Sequence, residues 1–302
     1  MSLLLPNTRE SMIADGLTRA IRDDALELHV QPIMCLATDT VTGWESLLRY
    51  NHPRLGPVPP MEFIPIAERT GAILEIGSWV VDAACAWRSE LGADQVVGVN
   101  ISARQLMDRR FASRVLDTLD RYELTTKALC LELTETAVID DIDHAATILQ
   151  RLRERGVDIA LDDFGTGYAS LAVLRRLPVN IVKIDRSYVA TAGGGGREDD
   201  FLAGMIDFCE RLGAHVVAEG IERDPQLKAV RTFGATWGQG YFLGSPHAAT
   251  SVLRSEYRVL DRHAARRPPF PNVGFAPGED ASPNARRRIR SAMASVTNRR
   301  GG

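Results

Sequence analysis

Residues 157–171 read "VDIALDDFGTGYASL", an apolar run that ends in two adjacent aspartates and a glycine-rich turn before helix-forming residues resume. Side chains alternate between the two faces of a strand, so Asp162 and Asp163 face the same way only where the strand has already stopped. We therefore expect the pair at a corner between a strand and a loop. Either Asp163 caps the next helix and Asp162 is solvated, or both carboxylates belong to a functional site.

Short β-rich runs alternate with amphipathic stretches along most of the chain. The strand candidates are 26–32, 43–49, 96–101, 129–133, 157–162, 180–184, 215–219 and 237–242. Helical stretches are predicted at 62–69, 74–90, 111–122, 143–155, 169–176, 198–212 and 224–233. This alternation predicts a parallel sheet of the α/β class, and eight such strands predict its closure into a barrel.

Composition and length agree with a large globular domain. The chain has 302 residues, of which 45% are apolar and 25% charged, and α/β barrels routinely use about 200 to 250 residues. No stretch approaches the run of about 18 apolar residues that a membrane span needs, and the start "MSLLLP" lacks the basic residues of a signal peptide. We therefore expect a cytoplasmic protein without a transmembrane segment.

The cysteines and histidines indicate no metal site of their own. Cys35, Cys85, Cys130 and Cys209 are far apart in apolar runs, so we interpret them as core residues and predict neither a zinc site nor a disulfide framework. The six histidines show no metal-binding spacing, and any metal would therefore have to be held by oxygen.

Charge and composition divide the chain into three parts. We predict an N-terminal lead-in with a helical segment at 1–19, a core domain at 20–258 and a basic tail at 259–302. Residues 261–302 carry nine arginines against three acids and are rich in Pro, Gly and Ser, which predicts a mostly disordered tail. Its cluster "RRRIR" is interpreted as a solvated charge run, with contact to an anionic surface as the alternative, and its partner is unknown.

Polar side chains stand at or near the end of almost every predicted strand. They are Glu45, Asn100, Glu132, Asp162 with Asp163, Lys183, Glu219 and Gln239. The carboxyl ends of the strands of an α/β barrel meet at one mouth, which is where such enzymes keep their chemistry. Each residue alone could be a helix cap or a surface group, but together they predict a functional site.

Such a mouth would be strongly acidic. It brings together the carboxylates Glu45, Glu132, Asp162, Asp163 and Glu219, which cannot all stay ionised without cations. Carboxylate and amide oxygens suit Mg²⁺ or Mn²⁺, and adjacent aspartates can hold two ions, as in two-metal phosphoryl hydrolysis. A lysine beside them could orient water or stabilise developing charge. Enolase-type chemistry is the alternative, but such enzymes need a capping domain for which we find no segment.

Eight strings, in order, resemble the EAL-domain cyclic di-GMP phosphodiesterases over about residues 20–250. They are "WESLLRY" (44–50), "FIPIAERTG" (63–71), "VNIS" (99–102), "LELTET" (131–136), "DDFGTGYASL" (162–171), "VKIDRSYV" (182–189), "VVAEGIE" (216–222) and "GQGYFLG" (238–244). The resemblance implies a modified TIM barrel whose first strand runs antiparallel to the rest. It also implies Mg²⁺- or Mn²⁺-dependent cleavage of cyclic di-GMP to linear pGpG.

The resemblance also implies roles for single residues. One metal would be held by Glu45, Asn100, Glu132 and Asp162, and the second by Asp162 and Asp163. Lys183 and Glu219 correspond to groups that position and deprotonate the hydrolytic water, with either as the base, and Gln239 corresponds to a residue that orients water and metal.

Further residues correspond to substrate contacts and supports. Gln31 and Arg49 resemble substrate contacts, because a guanidinium suits a phosphate oxygen. Asp185 also resembles a substrate-binding residue. Like Glu222, it resembles a support that fixes the geometry of the metal ligands. Ser46 stands where the family has alanine, on the face that points away from the mouth, and we expect little effect from it.

The segment after Asp163 resembles a loop that the family uses for regulation. Gly165 and Gly167 would permit its left-handed turns, and Glu135 corresponds to the glutamate that anchors it. In the family this loop connects the active site to a dimer interface, so the resemblance implies a homodimer. A non-catalytic EAL receptor that binds cyclic di-GMP and acts by protein contact is the alternative function.

Overall fold

Eight strands of one sheet close into a barrel in the computed structural model, which describes residues 8–91, 95–134, 141–166 and 170–254. They are β1 (Leu26–Cys35), β2 (Thr40–His52), β4 (Val96–Asn100), β5 (Leu129–Thr134), β6 (Asp158–Phe164), β7 (Ile181–Ile184), β8 (His215–Ala218) and β9 (Trp237–Gly238). Two short strands, β3 (Gly56–Val58) and β10 (His247–Ala248), pair with β2 and β1 outside this ring.

Strand direction confirms the predicted modified TIM barrel. β1 pairs antiparallel with both β2 and β9, which closes the ring. The remaining neighbours, from β2 through β4, β5, β6, β7 and β8 to β9, are all parallel. The carboxyl ends of these parallel strands therefore meet at one mouth, as in other α/β barrels.

Helices cover the outside of the barrel. They are α1 (Arg9–Leu17), α2 (Pro60–Thr70), α3 (Ile73–Glu90), α4 (Ala103–Leu106), α5 (Phe111–Arg121), α6 (Ile142–Glu154), α7 (Ser170–Arg176), α8 (Arg186–Val189), α9 (Arg197–Arg211), α10 (Asp224–Phe233) and α11 (Ala249–Arg254). Their apolar faces join the outer side chains of the strands in one core. Within the described residues, none of these helices has the length and apolar character needed to cross a membrane.

The predicted strand at 237–242 was wrong beyond Gly238. After that residue the chain turns back on the segment after β8, because the N–H of Phe242 donates to the carbonyl of Ile221 over 3.0 Å. Gly240 lies so close to this segment that a Cβ on it would approach the Ile221 carbonyl oxygen to 2.2 Å. A glycine is therefore required here, and the strand cannot continue.

The two aspartates lie inside a strand, which corrects the predicted corner. β6 continues through Phe164, but Asp163 has a φ of 54° and the pairing with β7 shifts register between Leu161 and Phe164. Such a bulge interrupts the alternation of side chains. Asp162 and Asp163 can therefore serve one site without ending the strand.

An apolar layer closes the barrel interior below its mouth. Cys130, Ala160, Ile181 and Val217 pack there with Trp237. Each of the first four lies two positions before a predicted polar site residue, and residues two apart on a strand share a face. The four cysteines are buried and unpaired, which confirms their interpretation as core residues.

Candidate active site

Lys183 lies at the centre of the acidic mouth and is buried, with 1% exposure. Its ammonium nitrogen lies 2.7 Å from Glu132 Oε2 and 2.8 Å from Glu219 Oε1. Asp162 Oδ1 lies 3.3 Å away and Glu45 Oε2 3.5 Å away. Four strands and the residue after a fifth strand therefore bring one cation into contact with four carboxylates, as the sequence predicted.

Amide side chains hold Glu45 from both sides. Asn100 Nδ2 donates to Glu45 Oε1 over 3.0 Å, and Gln239 Nε2 donates to Glu45 Oε2 over 2.6 Å. Gln239 Nε2 also donates to Gln31 Oε1, and Gln31 Nε2 donates to the carbonyl of Gly244. Both amide atoms of Gln31 are thus engaged inside the barrel, and its side chain supports Gln239.

The carboxylates form two groups that share one member. Ligand oxygens of Glu45, Glu132 and Asp162 lie within 4.8 Å of one another, and so do those of Asp162, Asp163 and Glu219. The N–H of Asp163 donates to Asp162 Oδ1 over 3.0 Å, which fixes the orientation of the shared carboxylate. This arrangement offers two neighbouring cation positions with Asp162 common to both.

Burial raises the pKa values of four carboxylic acids at the site. Burial, with the charges of Glu45 and Asp162, raises the pKa of Glu132 to about 8 even though Lys183 acts against it. Burial likewise raises the pKa of Glu219 well above its usual range. The pKa values of Asp162 and Asp163 are also raised, by burial first and then by neighbouring carboxylates.

The pKa values of Glu45 and Lys183 are shifted in favour of the charged forms. Burial alone would raise the pKa of Glu45, but Lys183 and the amide donors of Gln239 and Asn100 bring it below its usual value. Burial alone would lower the pKa of Lys183, but the surrounding carboxylates raise it well above the usual value. One ammonium thus compensates one carboxylate, and the raised pKa values of the other acids favour their protonated forms unless further cations neutralise them.

Two observations show that the residues fit divalent cations. The donor set of the two groups consists of carboxylate oxygens alone, which suits hard ions such as Mg²⁺ or Mn²⁺. In addition, Gln239 Oε1 is buried and has no hydrogen-bond partner among the residues that the structure describes, so a polar group at the site would satisfy it.

The remaining predicted residues lie around this cluster. Arg49 is half-buried on the same strand as Glu45, four positions further along, and its guanidinium donates to the Leu48 carbonyl. Asp185 accepts from the N–H of Ser187, and its charge contributes to the raised pKa of Asp163. The carboxylate of Glu222 is exposed, while its N–H donates to Gln226 Oε1.

The predicted loop is described only in part. Gly165 has a φ of 96°, as expected, and its carbonyl accepts from the hydroxyl of Tyr188 over 2.6 Å. Glu135 and Gly167 lie outside the described residues, as does the basic tail, so their predicted roles stay predictions.

Gly98 was not among the predicted site residues, and Ser46 was expected to have little effect. Gly98 lies beside Glu132 in the barrel interior, and Ser46 Oγ donates to the Gly98 carbonyl over 2.7 Å. A glycine inside a strand is a signal of close approach by another group, and it could have identified Gly98.

Fold and site together define an α/β-barrel protein with an acidic, lysine-centred mouth. The profile of the EAL domain family matches residues 14–246. The chain belongs to the EAL domain family, which confirms the family indicated by its motifs.

Curated relatives from Pseudomonas aeruginosa are similar over most of this chain. The bifunctional diguanylate cyclase/cyclic di-GMP phosphodiesterase MucR is 35% identical over 82% of this chain and 37% of its own length. The cyclic di-GMP phosphodiesterase NbdA is 39% identical over 81% of this chain and 32% of its own length. The chain thus spans about a third of the length of these relatives.

Solved structures show the same fold. The PaMucR phosphodiesterase in complex with c-di-GMP superposes with a TM-score of 0.74 at 35% identity, covering 80% of this chain and 99% of that one. The EAL enzyme Bd1971, bound to cAMP and cyclic di-GMP, gives a TM-score of 0.76 at 31% identity, covering 81% of this chain and 68% of that one.

Proposed function

We propose that this chain is a metal-dependent phosphodiesterase that hydrolyses cyclic di-GMP to linear pGpG. The observation that carries the proposal is the pair of carboxylate groups that share Asp162 beside Lys183. Similarity to NbdA and MucR, both named as cyclic di-GMP phosphodiesterases, supports the choice of substrate.

Mg²⁺ or Mn²⁺ would be held by the two carboxylate groups. Glu45, Glu132 and Asp162 form the first group, to which Asn100 adds its amide oxygen because its Nδ2 already donates to Glu45. Asp162 and Asp163 would serve the second position. When bound, the cations supply Lewis acidity that neutralises phosphate charge and makes water more acidic.

Lys183 and Glu219 would handle the attacking water. Hydrolysis forms a bond between the water oxygen and phosphorus, breaks one phosphodiester P–O bond, and requires a base for the water proton and a proton for the departing ribose oxygen, which solvent can supply. Lys183 remains an ammonium among its carboxylates, so it orients water and stabilises developing negative charge. Glu219, 18% exposed at the mouth, is then the group that accepts the proton.

Arg49 would bind a substrate phosphate, since its guanidinium suits a phosphate oxygen. Gln31 and Asp185 would also contribute to substrate binding. Asp185 and Glu222 would support the geometry of the metal ligands. A homodimer in the cytoplasm is part of the same proposal, and sedimentation of the purified chain would test its oligomeric state.

A turnover experiment tests the proposal. Purified protein is incubated with cyclic di-GMP and Mg²⁺, Mn²⁺ or Ca²⁺, and products are separated by chromatography. We expect linear pGpG with Mg²⁺ or Mn²⁺ and a rate at least a hundredfold lower, roughly, for Glu45→Gln. Binding of cyclic di-GMP without turnover above this control would instead favour the receptor function. Absence of both binding and turnover would contradict the assignment of cyclic di-GMP as the substrate.

A further inference from the structure

Gly98 faces the barrel interior directly opposite a predicted metal ligand. It is buried in β4 and lies in register with Glu45 of β2. Two positions further along β4, Asn100 is in register with Glu132 of β5. Residues two apart on a strand share a face, so Gly98 and Asn100 both point to the site.

The carboxylate of Glu132 occupies the space where a side chain of residue 98 would be. A Cβ built on Gly98 would lie 1.9 Å from Glu132 Oε1 and 2.9 Å from its Cδ. Separations this short are far inside van der Waals contact, so the two groups exclude each other.

Backbone conformation does not explain the glycine. The φ of Gly98 lies outside the left-handed region, whereas eleven other glycines among the described residues have positive φ. An alanine could therefore adopt the same backbone angles, and glycine inside a strand ordinarily weakens it. The missing side chain, and not a special turn, is what the position provides.

This space determines where the carboxylate of Glu132 lies. Because Gly98 is opposite Glu45, a carboxylate that leans over Gly98 comes to lie beside that of Glu45. There it approaches Lys183 to 2.7 Å and joins the group with Asp162. A Cβ at position 98 would displace the carboxylate from this space.

Ser46 holds the backbone of Gly98 in place. Its hydroxyl, buried to 2% exposure, donates to the Gly98 carbonyl over 2.7 Å and links β2 to β4 at this level. The side chain points away from the mouth, so its contribution to the site passes through Gly98.

We infer that Gly98 is a positioning residue, whose absent side chain places the Glu132 carboxylate in the metal-binding group, and that Ser46 supports it. The inference rests on the proposed function, because it assumes that Glu132 binds a cation. It adds a residue that contacts neither cation nor substrate but sets the affinity for the cation.

Mn²⁺ titration by calorimetry, with the metal alone, tests the inference. For Gly98→Ala we expect the apparent Kd to rise about 10- to 100-fold. Gly43→Ala is the matched control in β2, because its Cβ would press on the Val96 carbonyl at 3.0 Å, away from the carboxylates. Gly204→Ala on α9 is the neutral control, since its Cβ would meet no atom of the described part of the chain within 4 Å. Unchanged affinity in Gly98→Ala, or an equal loss in Gly43→Ala, would overturn the inference.

Glu132→Asp supplies the decisive second variant. The shorter side chain removes the overlap with a Cβ at position 98, so adding Gly98→Ala to Glu132→Asp should change the Kd less than about threefold. Full additivity of the two losses would overturn the inference. Should Gly98→Ala alone fail to fold, the double variant should fold, and its failure would count equally against the inference.

Glu132→Gln separates this inference from the proposed function. If Glu132→Gln weakens Mn²⁺ binding and Gly98→Ala does not, the positioning role fails while the ligand set stands. If Glu132→Gln leaves the Mn²⁺ affinity unchanged, the proposed ligand set fails, and the positioning role fails with it.

Discussion

The ammonium of Lys183 lies 2.7 Å from Oε2 of Glu132, and both side chains are buried. The stability of such a buried pair depends on its geometry, because removing two charges from water is costly unless each finds partners. Here the ammonium has four carboxylate partners, so the cluster needs more positive charge than Lys183 provides. We therefore expect stability, metal affinity and turnover to be linked at this one site.

Replacing Lys183 by methionine should uncouple binding from turnover. The variant leaves four carboxylates, three of them buried, without a cation, so in metal-free buffer its free energy of unfolding should fall by about 3 kcal/mol or more. Mn²⁺ should raise its melting temperature more than that of the wild type, while cyclic di-GMP binding persists and most turnover is lost.

Lys228→Met is the matched control for this change. Lys228 pairs with Asp224 at the surface with its side chain 75% exposed, so its loss should cost about 1 kcal/mol or less. Full catalytic rate in Lys183→Met would refute the role assigned to the lysine.

Asp162→Asn and Asp163→Asn should differ in how many cation positions they affect. Asp162 belongs to both carboxylate groups, whereas Asp163 belongs to one. We expect Asp162→Asn to weaken both binding events in a Mn²⁺ titration by about tenfold or more, and Asp163→Asn to weaken only one. Identical titrations for the two variants would contradict the sharing of Asp162.

Metal affinity should rise with pH up to about 8. Burial raises the pKa of Glu132 to about 8 in the metal-free protein, so below that pH a cation must displace a proton. Calorimetry in two buffers of different ionisation enthalpy should show proton release at pH 7 and little at pH 9. Stability without metal should change in the opposite direction. Because the pKa of Glu132 is higher in the folded protein than in the unfolded chain, the free energy of unfolding should fall as pH rises to about 8.

Ser46→Ala should weaken the site slightly although Ser46 does not face it. Loss of its buried hydrogen bond to Gly98 should cost about 1 kcal/mol of stability and a smaller loss of Mn²⁺ affinity than Gly98→Ala. Ser78→Ala is the control, because its hydroxyl donates to the Leu74 carbonyl on an exposed helix face. Equal effects of the two serine variants would mean that Ser46 has no special connection to Gly98.

The cysteines should be inert in the folded protein. Burial raises the pKa values of Cys85 and Cys209 to about 12, so only about one thiol in ten thousand is ionised at pH 8. A thiol reagent at pH 8 should label none of the four cysteines in the native protein and all four after unfolding. Rapid labelling before unfolding would show that this core opens locally.

Local sequence patterns were enough to predict most helices and strands and the polar residues of the site. The helix at 224–233 was predicted at its observed bounds, because periodic apolar residues and terminal signals are properties of neighbouring residues. The same reasoning identified Lys183 and its carboxylates, because the strands of an α/β barrel deliver their carboxyl ends to one mouth.

Tertiary structure alone decided how these groups fit together. The left-handed conformation of Asp163, the end of β9 at Gly238 and the space that Glu132 takes over Gly98 each depend on a neighbouring strand or segment that is distant in sequence. Close packing determines these features, because the space left by a missing side chain is filled by whichever neighbouring group the fold brings there. Sequence therefore determined which chemistry meets at the mouth, and packing between strands decided the position of each oxygen.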